Sequence, residues 1–462
     1  MGRMLTMCAA ATVAMSMVSG CKAGGDKNVA DADTVHHLPD TLRVATLYSP
    51  MSYFSYRDEQ MGYDYTLVTD LTRDKGMALE LTVANNLAQA IEMLDSGYVD
   101  LVAYEVPVTS EYKSHVIPCG PVNYTSQVLV QPKVGANRVT DVTELVGREV
   151  YVEHNSKYQQ RLEHLNDELG GGITIHPVDR DTLITEDLIE MVSNGQIPLT
   201  VVDSDIAKLN KTYYPDLDIT LELSFKQRSS WGVSPDKQWL ADSIDAWIGS
   251  EGSRRENDML LKRYFELSKN VPSVYTYKFS KGKLSPYDAI FKHYGEESGW
   301  DWRLLASIAF VESRFNNSVT SWAGARGIMQ IMPGTARAHG VSPESMTDPE
   351  TSVRVAVKIL TQLDKRFKPL VSNANERRKF ILAAYNSGLA HILDAIALAE
   401  KHGHDPQVWQ GNVADALLMK SNPEYYNDPV CKYGYFRGKQ TTAYVEEVMA
   451  FYEKCKKQLK AK

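Results

Sequence analysis

The feature that most constrains this chain is a change of hydrophobic period near its middle. From Thr41 to about Ser268, short β-rich runs alternate with helical stretches; beyond Ser285-Pro286 only the 3.6-residue period remains. Strands alternating with helices predict an α/β architecture on a parallel sheet, and the uninterrupted helical pattern predicts an all-α domain. The first half carries its pattern twice. Strand Leu42–Leu47 leads to helix Tyr65–Lys75, strand Leu79–Val83, helix Asn86–Leu94 and strand Asp100–Ala103. Then come strand Glu149–Glu153, helix Ser156–Leu169, strand Ile173–Pro177, helix Asp187–Asn194 and strand Leu199–Asp203. Two such sets predict two lobes with a cleft between them, a common place for a small ligand. The helical half reads as Tyr287–Glu297, Trp302–Phe315, Pro349–Phe367, Glu376–Asn386 and Leu389–His402. A looser stretch with Pro272, Ser273, Ser280 and Gly282 is the expected linker, residues 269–283, between domains at 41–268 and 284–462. At about 150 residues per compact body, a chain of 462 residues accommodates two lobes and one helical domain.

Ahead of the folded part, Arg3 precedes fourteen largely apolar residues, Leu5–Val18. That run is shorter than the roughly 17–25 residues of a bilayer span and has the layout of a secretory signal, residues 1–20. Val18-Ser19-Gly20-Cys21 resembles the lipobox of bacterial lipoproteins, which implies cleavage before Cys21 and its lipidation; the alternative is a plain signal with an incidental cysteine. An acylated Cys21 would be a membrane anchor, and Lys22, where an aspartate could stand, favours sorting to the outer membrane. Residues 21–40 are small and polar, a tether. Export leaves Cys119, Cys431 and Cys455: either a Cys431–Cys455 disulfide with a free Cys119, or three buried thiols. No cysteine spacing fits a zinc site. The net charge of −8 and the lack of a long basic run argue against a nucleic-acid partner.

Chemistry concentrates in the helical half. Leu305, Ile308, Ala309 and Glu312 fall at i, i+3, i+4 and i+7, so Glu312 extends an apolar stripe. A carboxyl held there loses hydration, its pKa rises, and it becomes suited to general acid work. The alternative is a helix-terminal glutamate paired with Arg314 or Arg326. Gly324 and Gly327 allow tight turns and close approach of a ligand to the backbone. Gln330 offers both a donor and an acceptor. Met329 and Met332 suit adaptable apolar contact with a ligand or a core, the core being the better expectation for at least one of them. Pro333 opens the next helix, and Gly388 ends the helix bearing Tyr385 and Asn386. In the first half, Tyr48, Tyr53, Phe54, Tyr56 and Tyr63 form either a cleft floor for stacking or ordinary packing.

Two resemblances then sharpen the reading. Leu42-Arg43-Val44, Gly62-Tyr63-Asp64-Tyr65, Leu94-Asp95-Ser96-Gly97-Tyr98-Val99-Asp100 and Val146-Gly147-Arg148-Glu149-Val150-Tyr151-Val152 resemble the family 3 periplasmic solute-binding proteins. In amino-acid binders of that family an arginine follows a Thr-x-x motif and clamps the ligand carboxylate. Here Thr109-Ser110-Glu111 is followed by Tyr112 and Lys113, and lysine cannot reproduce the planar fork. A cell-wall fragment such as a muropeptide, another small ligand, or none is therefore expected in place of an amino acid.

Glu312-Ser313-Arg314-Phe315, the run Ser321–Ala336, Ala384-Tyr385-Asn386-Ser387-Gly388 and Thr442-Ala443-Tyr444-Val445 resemble the soluble lytic transglycosylase domain, with its closing Thr-x-x-Tyr-Val pattern one position short. That resemblance implies a lysozyme-like fold acting on peptidoglycan glycan strands, with Glu312 catalytic. It places Ser321, Met329, Gln330, Met332, Tyr385, Asn386 and Tyr444 along the sugar site. Ordinary glycosidases need two carboxyl groups, and the Ser321–Ala336 block holds no aspartate. One glutamate suffices if the muramyl C6 hydroxyl is the nucleophile, yielding a 1,6-anhydro end without metal or cofactor. A lysozyme-type muramidase and a non-catalytic wall-binding receptor are the competing expectations.

Overall fold

The computed structural model describes residues 37–49, 51–109, 112–135, 138–154, 156–178, 185–266 and 283–459. The leader, Cys21, nearly all of the tether and the linker lie outside them. From Pro39 onward the chain forms one compact unit. Among the described residues the strands are β1 (Thr41–Leu47), β2 (Phe54–Tyr56), β3 (Glu59–Met61), β4 (Ala78–Ala84), β5 (Leu101–Pro107) and β6 (Ile117–Thr125). They continue as β7 (Gln127–Pro132), β8 (Glu149–Glu153), β9 (Thr174–Val178), β10 (Thr200–Asp203), β11 (Leu217–Asp218) and β12 (Gln227–Val233).

Leu42, Val44 and Ala45 are buried because β1 lies between parallel β4 and β5, with apolar residues needed on both faces. The helices between strands begin where the sequence supplies caps. Asn86 accepts from the Gln89 amide and Ser156 from the Gln159 amide, each satisfying an otherwise orphaned N–H.

The sheets run β4-β1-β5-β12-β6 and β11-β7-β10-β8-β9. The expected parallel order holds for β4-β1-β5 and for β10-β8-β9, but β12 is antiparallel to β5 and β6, and β7 to β10. The chain thus leaves the first lobe at Ser126, between β6 and β7, and returns to it through β12. The two lobes are not successive halves. Pro118, Gly120, Pro121 and Asn123 make β6 read as a loop, and its ladder is supplied by β12, more than a hundred residues later, with Cys119 opposite Trp231.

In the helical body the Trp302–Ser313 helix is central. It starts on Asp301, whose carboxylate accepts from the Arg303 amide, and packs on the Gly438–Gln458 helix with Phe310 and Phe451 stacked 4.1 Å apart. Residues 302–311 are buried all round, so the helix has no solvated side against which to define a stripe. Arg303 and Ser307 are tolerated there because Arg303 donates to Asp301 and to the Leu459 carbonyl, and Ser307 donates to the Arg303 carbonyl. Of the two alternatives for the cysteines, the Cys431–Cys455 disulfide is not formed. Cys119, Cys431 and Cys455 are all free, Cys455 lying beside Ser307 inside the helical core and Cys431 only half-buried.

Candidate active site

Glu312 sits in the last turn of the central helix, on the wall of a cavity of about 640 Å³. Its side chain is only 5% exposed, and the chain leaves it through Arg314 and Phe315, both in the left-handed region. Burial pushes its carboxyl above the ordinary range, against the opposing pull of Arg57 and Tyr444. The partner is neither Arg314 nor Arg326. Arg326 pairs with Glu344, and Arg314 faces Glu447. Arg57, from the α/β half, spans both Glu312 oxygens at 3.1 and 3.0 Å, and its own side chain is 9% exposed.

Arg57 reaches that position at the tip of the β2–β3 hairpin. The two-residue turn Arg57-Asp58 has φ of 51° and 59°, a geometry that favours Asn-Gly. Each non-glycine residue there costs about 1–2 kcal/mol, so the turn persists only because the helical body grips it. The Arg57 amide donates to the Ser387 carbonyl at 2.9 Å, and its guanidinium also donates to the Gln330 carbonyl at 2.7 Å. Asp58 accepts from the Leu389 and Ala390 amides at 3.1 and 3.4 Å, capping the Leu389–Lys401 helix. Glu59 accepts from the Gly334 amide at 2.6 Å in the first turn of the Pro333–Ala338 helix. Both glycines make room: a Cβ on Gly388 or Gly334 would come within 2.5 Å of the Asp58 or Glu59 carboxylate. His391 donates through Nε2 to the Ser55 carbonyl at 3.0 Å, while Nδ1 accepts from Lys420 at 3.1 Å. Burial and the Lys420 charge keep that imidazole neutral, with its pKa well below the usual range.

Among the described residues, the non-glycine residues with left-handed φ are Arg57, Asp58, Arg314, Phe315 and Gln330. All five stand at Glu312 or at the hairpin tip facing it. Strain gathered in one place marks a functional site.

Of the residues expected along the sugar site, Ser321, Gln330, Asn386 and Tyr444 line the cavity with Glu312. Ser321 and Gln330 are partly committed to their own loop. The Ser321 hydroxyl accepts from the Ala325 amide, and the Gln330 amide group donates to the Val319 and Gly327 carbonyls. Asn386 accepts from Thr441 at 2.8 Å. Met329 and Met332, at 0% and 2% exposed, are not on the wall but in the core, where apolar side chains of that block go once Gln330 turns outward. Tyr385 lies behind the wall, its hydroxyl donating to the Met329 carbonyl at 2.7 Å. Gly327 serves packing: a Cβ there would stand 1.8 Å from the Met346 carbonyl oxygen.

The cavity also holds residues that sequence reasoning left out. Tyr213, Tyr214 and Glu190 of the second lobe roof it, with Arg437 and Lys439 beneath them. Arg437 donates to Asn210 and Tyr214 and lies over the Tyr213 ring, and Lys439 pairs with Glu190. The Tyr56 ring of the hairpin lies 5.7 Å from that of Trp322. An aromatic-rich segment, Tyr53–Tyr56, was the one visible hint that this part of the chain touches something.

Residues 289–408 match the family model for the transglycosylase SLT domain, and residues 42–267 that for bacterial extracellular solute-binding proteins, family 3. The chain is 30% identical over 418 residues to a membrane-bound lytic murein transglycosylase F of Pseudomonas fluorescens, covering 89% of this chain and 84% of that one. The same identity over 413 residues relates it to a protein of that name from Desulfosudis oleivorans, covering 89% and 88%. Among solved structures, the open form of substrate-binding domain 2 of Lactococcus lactis GlnP aligns with half of the chain and 97% of its own, at 14% identity and a TM-score of 0.43.

Proposed function

The chain belongs to the membrane-bound lytic murein transglycosylase F family, and from that membership we propose roles for its residues and a control on its active site. It is a peptidoglycan lytic transglycosylase, an enzyme that cleaves the β-1,4 bond after N-acetylmuramic acid and leaves 1,6-anhydro-muramyl ends. In our reading Glu312 is the single acid and base. Its burial favours the protonated form, and withdrawal of Arg57 favours it further. Glu312 gives that proton to the glycosidic oxygen, then as carboxylate takes one from the muramyl C6 hydroxyl, which attacks C1. Asn386, Gln330, Ser321 and Tyr444 line the path of the sugar, and Tyr385 steadies the Met329–Gln330 backbone from behind. The cavity's other carboxylates are otherwise engaged, Glu190 with Lys439 and Glu447 opposite Arg314, which favours a one-carboxylate scheme over a lysozyme-type pair.

The observation that carries the control is the Arg57 guanidinium on both Glu312 oxygens. A glycosidic oxygen cannot reach that carboxyl while the hairpin is seated. The described conformation is therefore the closed one, and activity requires the hairpin to withdraw. The N-terminal lobes act as the regulator. We assign residues 1–20 as the leader and Cys21 as the lipid attachment point, with the enzyme on the periplasmic face of the outer membrane. No helix among the described residues is long and apolar enough to cross a membrane. Labelling with a palmitate analogue, lost in Cys21→Ala, tests the anchor.

Purified sacculi digested with the chain and analysed by mass spectrometry test the chemistry. Anhydro-muramyl ends are expected, and Glu312→Gln should lose at least about 100-fold, the scale of general acid catalysis. Reducing ends in their place would establish a hydrolase.

A further inference from the structure

A second cavity, of about 370 Å³, lies between the lobes and is closed by the helical body. Its wall carries Glu105 from the first lobe and Glu153, Glu186, Asp203 and Asp205 from the second. No lysine, arginine or histidine among the described residues lines it. Five tyrosines do, including Tyr104 and Tyr158 from the two lobes and Tyr426 from the helical body. Some of the charge is offset from outside: Lys157 donates to Asp203 at 2.5 Å, and Arg437 acts on Glu186. Glu105 and Asp205 hydrogen-bond each other, and Lys157 acts on Asp205 from outside. Asn123 donates to Glu105.

These two carboxylates and Met51 are shared with an adjoining chamber of about 460 Å³, whose wall adds Asp64 and a single lysine, Lys208. On that wall the Ser229 hydroxyl, in a residue only 6% exposed, has no hydrogen-bond partner. A buried hydroxyl left unpaired costs about 1–3 kcal/mol, and a ligand atom would remove that cost. A metal ion is a poor fit, because among the described residues no three acidic, histidine or cysteine side chains converge on one point. An amino acid is a poor fit as well. Its carboxylate would need a base; Lys113, where the family's clamp region ends, is exposed and outside both chambers, and Lys208 stands on a wall that also carries Asp64, Glu105, Asp205 and Glu266.

We propose that this interlobe cavity binds a small linear organic amine carrying two or more primary ammonium groups. One ammonium group takes the place of the hydrogen bond between Glu105 and Asp205, and another lies toward Glu153 and Glu186. Carboxylates supply charge-assisted hydrogen bonds and tyrosine faces supply cation–π contact. The occupant touches both lobes, the helical body, and Ser49, Met51 and Ser52, the chain that leads into the hairpin ending in Arg57. Its regulatory sense rests on the reading of Arg57 as a plug; its binding does not.

Titration calorimetry on the folded chain at low ionic strength, with cadaverine and spermidine as probes, tests the site. Saturable one-to-one binding is expected, with protons released to the buffer. Burial, then Asp205 and Asp64, hold the Glu105 carboxyl well above the ordinary range; burial and Asp203 raise Asp205 with Lys157 opposing, so an arriving ammonium would ionise the pair. Glu105→Gln and, independently, Glu186→Gln should each weaken binding about tenfold or more while melting normally, as the loss of a charge-assisted bond predicts. Absence of saturable heat, indifference to both substitutions, or binding of glutarate or calcium instead would overturn the site. Sacculus digestion keeps the two readings apart. Amine binding without any effect of Arg57→Ala on activity upholds the site and removes the plug. A strongly activated Arg57→Ala with no amine heat does the reverse.

Discussion

Two regions of this molecule bury carboxylates, and they balance them in opposite ways. At the catalytic cleft one glutamate is met by one arginine brought from 255 residues earlier in the chain, and the pair is closed off from solvent. Between the lobes, five carboxylates share a wall on which no base stands among the described residues. Nearby, Asp64 is buried with only the Ser52 hydroxyl and the Trp231 indole N–H for company. A buried charge left without a partner is costly. The cleft meets that cost from within the protein and is thereby silenced. On the interlobe wall burial instead raises the Glu105, Asp205 and Glu186 carboxyls, which favours their protonated forms.

Removing Arg57 should break the contrast most sharply. Arg57→Ala is expected to raise the rate of anhydro-muropeptide release from sacculi about tenfold or more, since each hydrogen bond to a charged group contributes roughly 1.5–3 kcal/mol to the closed state. Arg57 pulls the Glu312 pKa down, so its loss should also move the basic limb of the pH–rate profile to higher pH. An unchanged rate and an unchanged limb would mean that the hairpin does not gate the site.

A smaller effect is expected one residue on. Asp58→Ala leaves the Arg57–Glu312 pair in place but removes a helix cap worth about 1 kcal/mol. It also puts alanine where φ is 59°. Activity should rise about fivefold, and the Arg57→Ala, Asp58→Ala double variant should add little more.

Asp64 gives the mildest test, on the other side of the comparison. Burial lifts its carboxyl to about 6, against hydrogen bonds from Ser52 and Trp231 that act to lower it. The sign follows from the raised value. Its protonated form contributes stability that is complete below about 3.8, the unfolded value, and is lost as pH rises through about 6. Asp64→Asn should therefore leave the denaturation midpoint unchanged near pH 4 and stabilise the chain above pH 6, by about 3 kcal/mol at most. Urea titrations at the two pH values read this directly.

Much of the architecture was legible in the sequence. Strand Glu149–Glu153 and helix Pro349–Phe367 coincide with their expected bounds. Asn86, Ser156 and Gly388 mark the helix ends they were read to mark. β6, β7 and β12 escaped because their prolines, glycines and polar residues resemble loops, and their ladders are satisfied by distant partners. At the cleft, Glu312, Ser321, Gln330, Asn386 and Tyr444 come together as their motifs implied, while Met329 and Met332 turn inward. Alternating side chains of a short irregular run give no sign of which face will meet the core.

What the sequence alone determined was local. Periods, caps and turn residues act within a few positions of one another, and they sufficed to separate an α/β half from a helical half and to single out one glutamate. Nothing local links Arg57 to Glu312, or Glu105 to Asp205, because the free energy of such pairs exists only after both partners lose water in one enclosed place. That burial required the chain to cross between lobes twice and then fold a third body over a hairpin. It was decided by the tertiary structure, and with it whether the glutamate is free to act.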